Sequence, residues 1–289
     1  MQLLQWLPRF LHRHKCIEIL CKLGLQKHIQ RIEFNYGSQA IINLSDPEPR
    51  NVFIKSEFEP HFFEIAKSFL PKDGVFFDLG ANVGFCSFGL IPSRSSANFH
   101  LFEASPKMIE LLTQSIDLHH HFSFKLNHAC ISGNDGETNF HIRTDQSGQS
   151  HVATQEEEGI KVPNLLLDQY CSKNRISQVD FAKIDLEGHE VPALKGWRAF
   201  LGKQNTKALY IEIIPENQAR YGYKTNEPLV FLESLGYVLF LCKPDDFGNF
   251  GEPTKLMECL DGKSIEVSKF KANEYPSDFS TDVLALPYL

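Results

Sequence analysis

Three stretches of this sequence combine residue types and spacings that suit chemistry. The first is Asp78-Leu79-Gly80-Ala81-Asn82-Val83-Gly84, where an apolar run hands over to a helical pattern. Glycines there let the backbone turn tightly and approach a ligand, while the helix that follows presents unpaired amides and a partial positive charge. A carboxylate suits that position, and Asp78 can accept hydrogen bonds from an amino group or a ribose. The second is Glu103, closing Leu101-Phe102-Glu103. Its two carboxylate oxygens can each accept one hydroxyl proton of a vicinal diol, at about the distance downstream where an acid meets ribose in such folds. The third runs from Val179 to Glu190 and bunches Asp185, Glu187, His189 and Glu190. Asp185 and Glu187 are candidate proton acceptors for a weak nucleophile such as an alcohol, as is His189, whose ordinary pKa lies near neutrality. Plainer roles compete: Glu103 as a helix cap, and Glu187 or Glu190 as acids favoured by a helix dipole. Asp185 with Glu187 also has the means to hold Mg²⁺, but the chemistry requires no metal and none is assigned.

These residues need elements to place them. Val75-Phe76-Phe77-Asp78-Leu79 is a continuous apolar run of the kind found in strands covered on both faces. Six further strand candidates follow, at 99–103, 122–127, 179–185, 208–214, 237–242 and 282–286, with helical stretches between most of them. Strands alternating with helices imply right-handed crossovers and an open, doubly wound α/β sheet. No helical pattern separates the last two strands, so the seventh is expected to insert antiparallel. Ser56 and Glu59 stand at capping-box spacing before Phe62, Phe63, Ala66, Phe69 and Leu70, which predicts a helix over 56–70. Two additions break the alternation: 136–163, read as a hairpin with a polar tip, and 243–280, rich in Gly, Pro and Asp. His119-His120-His121 reads as a solvated helix end. Residues 1–50 form an N-terminal extension and 51–289 the main domain.

Composition narrows the partners. The 289 residues, 42% hydrophobic, suffice for a full core without disulfides or metals. Seven singly scattered cysteines include no Cys-x-x-Cys pair, which fits a reducing cytoplasm. A net charge of -7 argues against nucleic acid as partner, because phosphate neutralisation needs clustered Lys and Arg. Residues 1–31 run the other way, with six basic side chains against Glu18 alone and interleaved leucines, Trp6 and Phe10. That segment reads as retained amphipathic helix, covering the domain or docking on a membrane surface or a partner.

Taken together, the motifs resemble those of FkbM-type methyltransferases. The similarity lies in Phe58-Glu59-Pro60, the turn at 78–84, Glu103, Leu167-Asp168, the run Lys183-Ile184-Asp185-Leu186-Glu187-Gly188-His189-Glu190, and the closing strand Thr281 to Pro287. It implies a Rossmann-like class I methyltransferase: a seven-stranded, mostly parallel sheet with its last strand antiparallel and helices on both faces. It also implies S-adenosyl-L-methionine as cofactor and O-methylation of a small-molecule or glycan acceptor. Carried over by position, Asp78, Gly80, Asn82, Gly84 and Glu103 would bind the cofactor, with Glu59 and Asn127 as further candidates. Asp185, Glu187 and His189 would border the methyl and the acceptor, although His189 stands where the family often has a small residue. Two rival readings are a non-catalytic protein that binds an adenosyl ligand and an NAD-linked oxidoreductase. The second needs Gly-x-Gly-x-x-Gly, whereas this turn is Gly-x-x-x-Gly.

Overall fold

A computed structural model describes residues 12–35, 37–143, 145–243, 246, 248–260 and 262–288. Trp6 and Phe10, and with them the first part of the expected amphipathic segment, lie outside the described residues. The chain opens with α1 (His12–Lys22), β1 (Ile29–Phe34), β2 (Ser38–Asn43), α2 (Pro47–Lys55) and α3 (Pro60–Phe69). The first half of the main sheet follows as β3 (Val75–Leu79), α4 (Phe85–Leu90), β4 (Asn98–Glu103), α5 (Pro106–Leu118) and β5 (Ser123–His128). Next come β6 (Cys130–Ile131), β7 (Glu137–His141), β8 (His151–Val152), β9 (Ile160–Leu165) and α6 (Leu167–Lys173). The second half comprises β10 (Phe181–Ile184), α7 (Glu190–Lys195), α8 (Arg198–Gly202), β11 (Leu209–Ile213), α9 (Pro215–Arg220), α10 (Glu227–Ser234) and β12 (Tyr237–Leu241). It closes with β13 (Lys255–Glu258), β14 (Ser264–Phe270) and β15 (Thr281–Pro287).

The main sheet runs β13-β14-β12-β15-β11-β10-β3-β4-β5. All seven expected strands belong to it, and β15 lies antiparallel between β11 and β12. The expected seven become nine because β13 and β14, from the stretch read only as a Gly- and Pro-rich addition, pair as a hairpin that continues the sheet beyond β12. The alternation that marks a βα unit is absent there, so the pattern concealed them. The 136–163 addition is also more than a hairpin: β6, β7, β8 and β9 form a separate four-stranded sheet.

Chain order reverses between β3 and β10, which are parallel neighbours with Asp78 beside Lys183 and Leu79 beside Ile184. Such a reversal opens a crevice at the carboxyl ends of the strands. Aromatic side chains on the two faces hold these strands in place. Phe76 stacks on Phe181 on one face, and its neighbour Phe77 stacks on Trp197 on the other, with ring centroids 6.0 and 5.7 Å apart. This double burial is why β3 reads as an uninterrupted apolar run.

The helix expected over 56–70 starts later. Ser56 instead ends α2 in the left-handed region at φ 56°, and Glu59 precedes α3 at φ 30° without a side-chain cap. Pro60 at the first helical position fixes the start, so the capping box does not form. Helix α2 runs across residue 50, and Ile32, Phe34, Ala40, Ile42 and Val52 share a buried cluster with Phe62 and Phe76. His119 is buried rather than solvated, stacked on Phe88 and bonded through Nε2 to the Gln39 carbonyl. The end of α1 and the residues after it leave Ile19, Leu23, Leu25 and Ile29 exposed. No helix among the described residues is long and apolar enough to cross a membrane.

Candidate functional site

A cavity of about 310 Å³ opens at the carboxyl ends of β3, β4, β10 and β11, within the size range of small-molecule sites. Its wall begins at the turn after β3. Gly80 has φ 85°, and a Cβ there would lie 1.8 Å from the Asp185 carbonyl oxygen, so only glycine lets this turn approach the one after β10. The Gly80 and Ala81 amides donate to the Phe102 carbonyl, and the Asn82 amide donates to Glu103 Oε2 at 2.8 Å. Glu103 Oε1 accepts from the Ser105 amide at 2.7 Å. The Ala104 amide bonds this carboxylate as well, and burial outweighs the three amides to push the carboxyl up to about 7.

The turn after β10 supplies the opposite wall. Glu190 Oε1 accepts from the Leu186 and Gly188 amides, and its other oxygen accepts from Gln218. This buried acid is the brace that shapes the turn. Asp185 accepts from Lys183 Nζ at 2.7 Å. Burial alone would lower Lys183, but Asp185 and nearby acids hold its ammonium firmly charged. Glu187, at φ 53°, faces the cavity and accepts from Asn217 Nδ2 at 2.7 Å. Burial and Asp185 push it up to about 8. His189 also lines the cavity, neither ring nitrogen has a hydrogen-bond partner among the described residues, and burial lowers it to about 4.

Of the residues read from the sequence, Glu59, Gly80, Asn82, Glu103, Asp185, Glu187 and His189 meet around this cavity. Three others are not among its lining residues. Asp78 is fully buried behind the turn, where Oδ2 accepts from Ser87 Oγ at 2.6 Å. Gly84 caps α4, and a Cβ there would press into the Phe88 ring at 2.4 Å. Asn127 donates to the Leu101 and Lys125 carbonyls and to the Tyr170 hydroxyl, tying β5 to its neighbours. Spacing put these three at strand and helix ends, but packing turns them inward.

Two acids escaped the sequence reading. Glu212, near the end of β11, shares a hydrogen bond with Asp185, and the Asp185 charge, with burial, pushes it up to about 10. The rule that placed the other acids, ligands beyond the carboxyl ends of central strands, applied to Glu212 equally. Glu48 comes from α2, in the stretch treated as an extension, and lines the cavity from its exposed rim. No spacing connects it to the site. Asp185, Glu187 and Glu212 each bring a carboxylate oxygen within 4.8 Å of one another, close enough to share a cation.

The tip between β7 and β8 closes the remaining side. The Ser147 amide donates to Asp46 Oδ2 at 2.9 Å, and Ser147 Oγ to Asn82 Oδ1 at 3.0 Å. Gln146 to Ser150 therefore lie across the cavity between α2 and the glycine turn.

The sequence pattern of the methyltransferase FkbM domain matches residues 78–239. The hexuronic acid methyltransferase AglP of Haloferax volcanii is 25% identical over 146 residues, 49% of this chain. The chain spans 56% of that protein's length. Among solved structures, precorrin-6y C5,15-methyltransferase from Geobacter metallireducens GS-15 aligns over 80% of this chain and 89% of its own, with 11% identity and a TM-score of 0.41. A TehB-like SAM-dependent methyltransferase from Corynebacterium glutamicum aligns over 76% and 91%, with 12% identity and a TM-score of 0.37.

Proposed function

The chain belongs to the family of proteins with a methyltransferase FkbM domain, and from that membership we propose that it methylates a hydroxyl oxygen of a small molecule or glycan, with S-adenosylmethionine as donor. The observation that carries this reading is that one cavity joins the glycine turn, Glu103 and the acids after β10. The Haloferax volcanii relative, named for a sugar acid, favours a sugar as acceptor.

The residues present fit such a donor. All of them line the cavity: Glu103 would receive the ribose hydroxyls, Gly80 and Asn82 would allow close backbone approach, and Glu48 and Glu59 would meet the ammonium. When bound, the donor supplies a methyl carbon made electrophilic by the adjoining sulfonium. The chain must hold the acceptor oxygen in line with that carbon, exclude water and receive the hydroxyl proton. Asp185 is already engaged by Lys183 and Glu212. Glu187 has one oxygen bonded to Asn217, and we assign it as the base, with the neutral His189 ring beside it to orient the hydroxyl. Glu187 would receive the hydroxyl proton as the acceptor oxygen takes the methyl group that the donor supplies. A positively charged sulfonium nearby favours the ionised carboxylate needed for that step.

Thermal shift with S-adenosylhomocysteine and with NAD tests the reading directly. Stabilisation by the first alone is expected, and stabilisation by NAD alone overturns it. Incubation with labelled donor and a metabolite extract then identifies the product whose mass has risen by one methyl.

A further inference from the structure

We infer that α1 and the turn after it form a docking surface for an anionic lipid bilayer. This goes beyond the methyltransferase reading and does not depend on it. Ile17 and Cys21, one turn apart, bury one side of α1 in the core. The other side turns Lys15, Ile19, Lys22 and Leu23 outward, at the three- and four-residue spacings that share a helix face. Gly24, at φ 69°, then ends the helix: its amide donates to the Cys21 carbonyl, and the Leu25 amide to the Leu20 carbonyl. In a helix end of this kind the residue after the glycine commonly packs back on the helix. Leu25 instead stands 73% exposed and Leu23 66%, and Lys27, Ile29 and Arg31 carry the exposed series into β1. The backbone that holds these side chains out is fixed by hydrogen bonds, so their exposure is built into the fold.

Charge decides what this face meets. Between residues 15 and 31 the exposed cations Lys15, Lys22, Lys27 and Arg31 stand among the aliphatic side chains, against the single acid Glu18, which Lys22 holds at 2.7 Å. The sequence before α1 continues the pattern, with Trp6, Phe10, four leucines and Arg9. On a chain of net charge -7, this concentration of positive charge turns the face toward a negatively charged surface. Composition separates a bilayer from a protein partner. Protein interfaces favour aromatic residues and Arg and are depleted in Lys, whereas the described face is aliphatic and three of its four cations are Lys. Aliphatic side chains enter the headgroup boundary, and long Lys side chains reach back from it to the phosphates. Eleven residues are too few to span a bilayer, so α1 lies along the surface. Helix α1 packs on α2, which carries Glu48 into the cavity lining, so docking brings the cavity within one helix of the lipid.

Flotation of the full chain with vesicles tests this, using equal parts phosphatidylcholine and phosphatidylglycerol against phosphatidylcholine alone. Binding to the mixed vesicles is expected to exceed binding to the neutral ones by roughly tenfold or more and to fall as salt is added. Leu23→Ser combined with Leu25→Ser should weaken that binding by about tenfold or more. Lys15→Gln and Lys27→Gln should each weaken it by about fivefold. All four side chains are exposed, so the melting temperatures of these variants should match the parent, which keeps a docking defect apart from a folding defect. Equal binding of the double serine variant and the parent, equal binding to neutral vesicles, or binding to neither overturns the inference. So does a dimer, seen by light scattering, that the serine pair dissociates while vesicles are left unbound, for the face would then meet a second copy of the chain.

Discussion

The turn after β3 and the turn after β10 face one another across the cavity, yet they use their side chains in opposite ways. In the first, most side-chain bonding stays inside the fold. Asp78 bonds Ser87, Gly84 packs on Phe88, and the Glu103 carboxylate that adjoins this turn braces the Asn82 and Ser105 amides. What it offers a ligand is mostly backbone. In the second, Glu190 carries the bracing, which leaves Glu187 and His189 facing the cavity with protonation states set by burial. Two acids three residues apart thus hold different offices, and only the fold separates them. A rigid wall suits a ligand that is bound, and titratable groups suit one that reacts.

Glu187→Gln is the sharpest way to break this division. It keeps the shape and the contact with Asn217 but removes the proton acceptor. Turnover should fall by about 10²–10⁴-fold, while calorimetry should show S-adenosylhomocysteine binding changed by less than about threefold. Equal losses in both would merge the two walls into one. Glu103→Ala should do the converse. Loss of charge-assisted bonds worth about 1.5–3 kcal/mol should weaken S-adenosylhomocysteine by roughly 10–100-fold in the same titration, with turnover at saturating donor largely retained.

The sequence revealed the two turns unequally. Strand β3 was legible because both of its faces are buried, and the signature after β10 because its acids are dense. The signature did not distinguish Glu190, a brace, from Glu187, a group facing the cavity. Asp78 and Asn127 stand at strand positions that often meet ligands, but Ser87 in the first case and Leu101 with Tyr170 in the second draw them into the fold. Glu48 was invisible for a different reason. It reaches the cavity from α2, and contacts between distant segments leave no period in the chain. Hairpin β13–β14 was missed because its alternation is interrupted by exposed, polar residues.

The pH dependence sharpens the second wall. Because burial and Asp185 push Glu187 up to about 8, kcat/KM should rise with pH by close to tenfold per unit below that value and level above it. A rate profile of the free enzyme checks this, and the rise should vanish in Glu187→Gln. Glu212 gives a smaller effect on stability. Its folded value of about 10 lies above the ordinary 4.5, so its contribution is full below pH 4.5 and is lost as pH rises toward 10. Glu212→Gln carries no such proton. Calorimetric scans of the free protein should show the variant gaining Tm over the parent between pH 6 and 9, and a constant difference would place the shared proton elsewhere.

The smallest expected effect lies outside the cavity and limits how far the first wall extends. Asn127 ties β5 to Leu101, Lys125 and Tyr170 without lining the site. In Asn127→Ala, the lost bonds should lower stability by about 1–2 kcal/mol, read from urea unfolding. S-adenosylhomocysteine affinity should stay within about twofold, since a change at a distant, independent position leaves binding nearly untouched. If affinity fell tenfold while stability held, Asn127 would turn toward the ligand when one is bound. The carboxyl end of β5 would then join β3 and β4 in the donor wall.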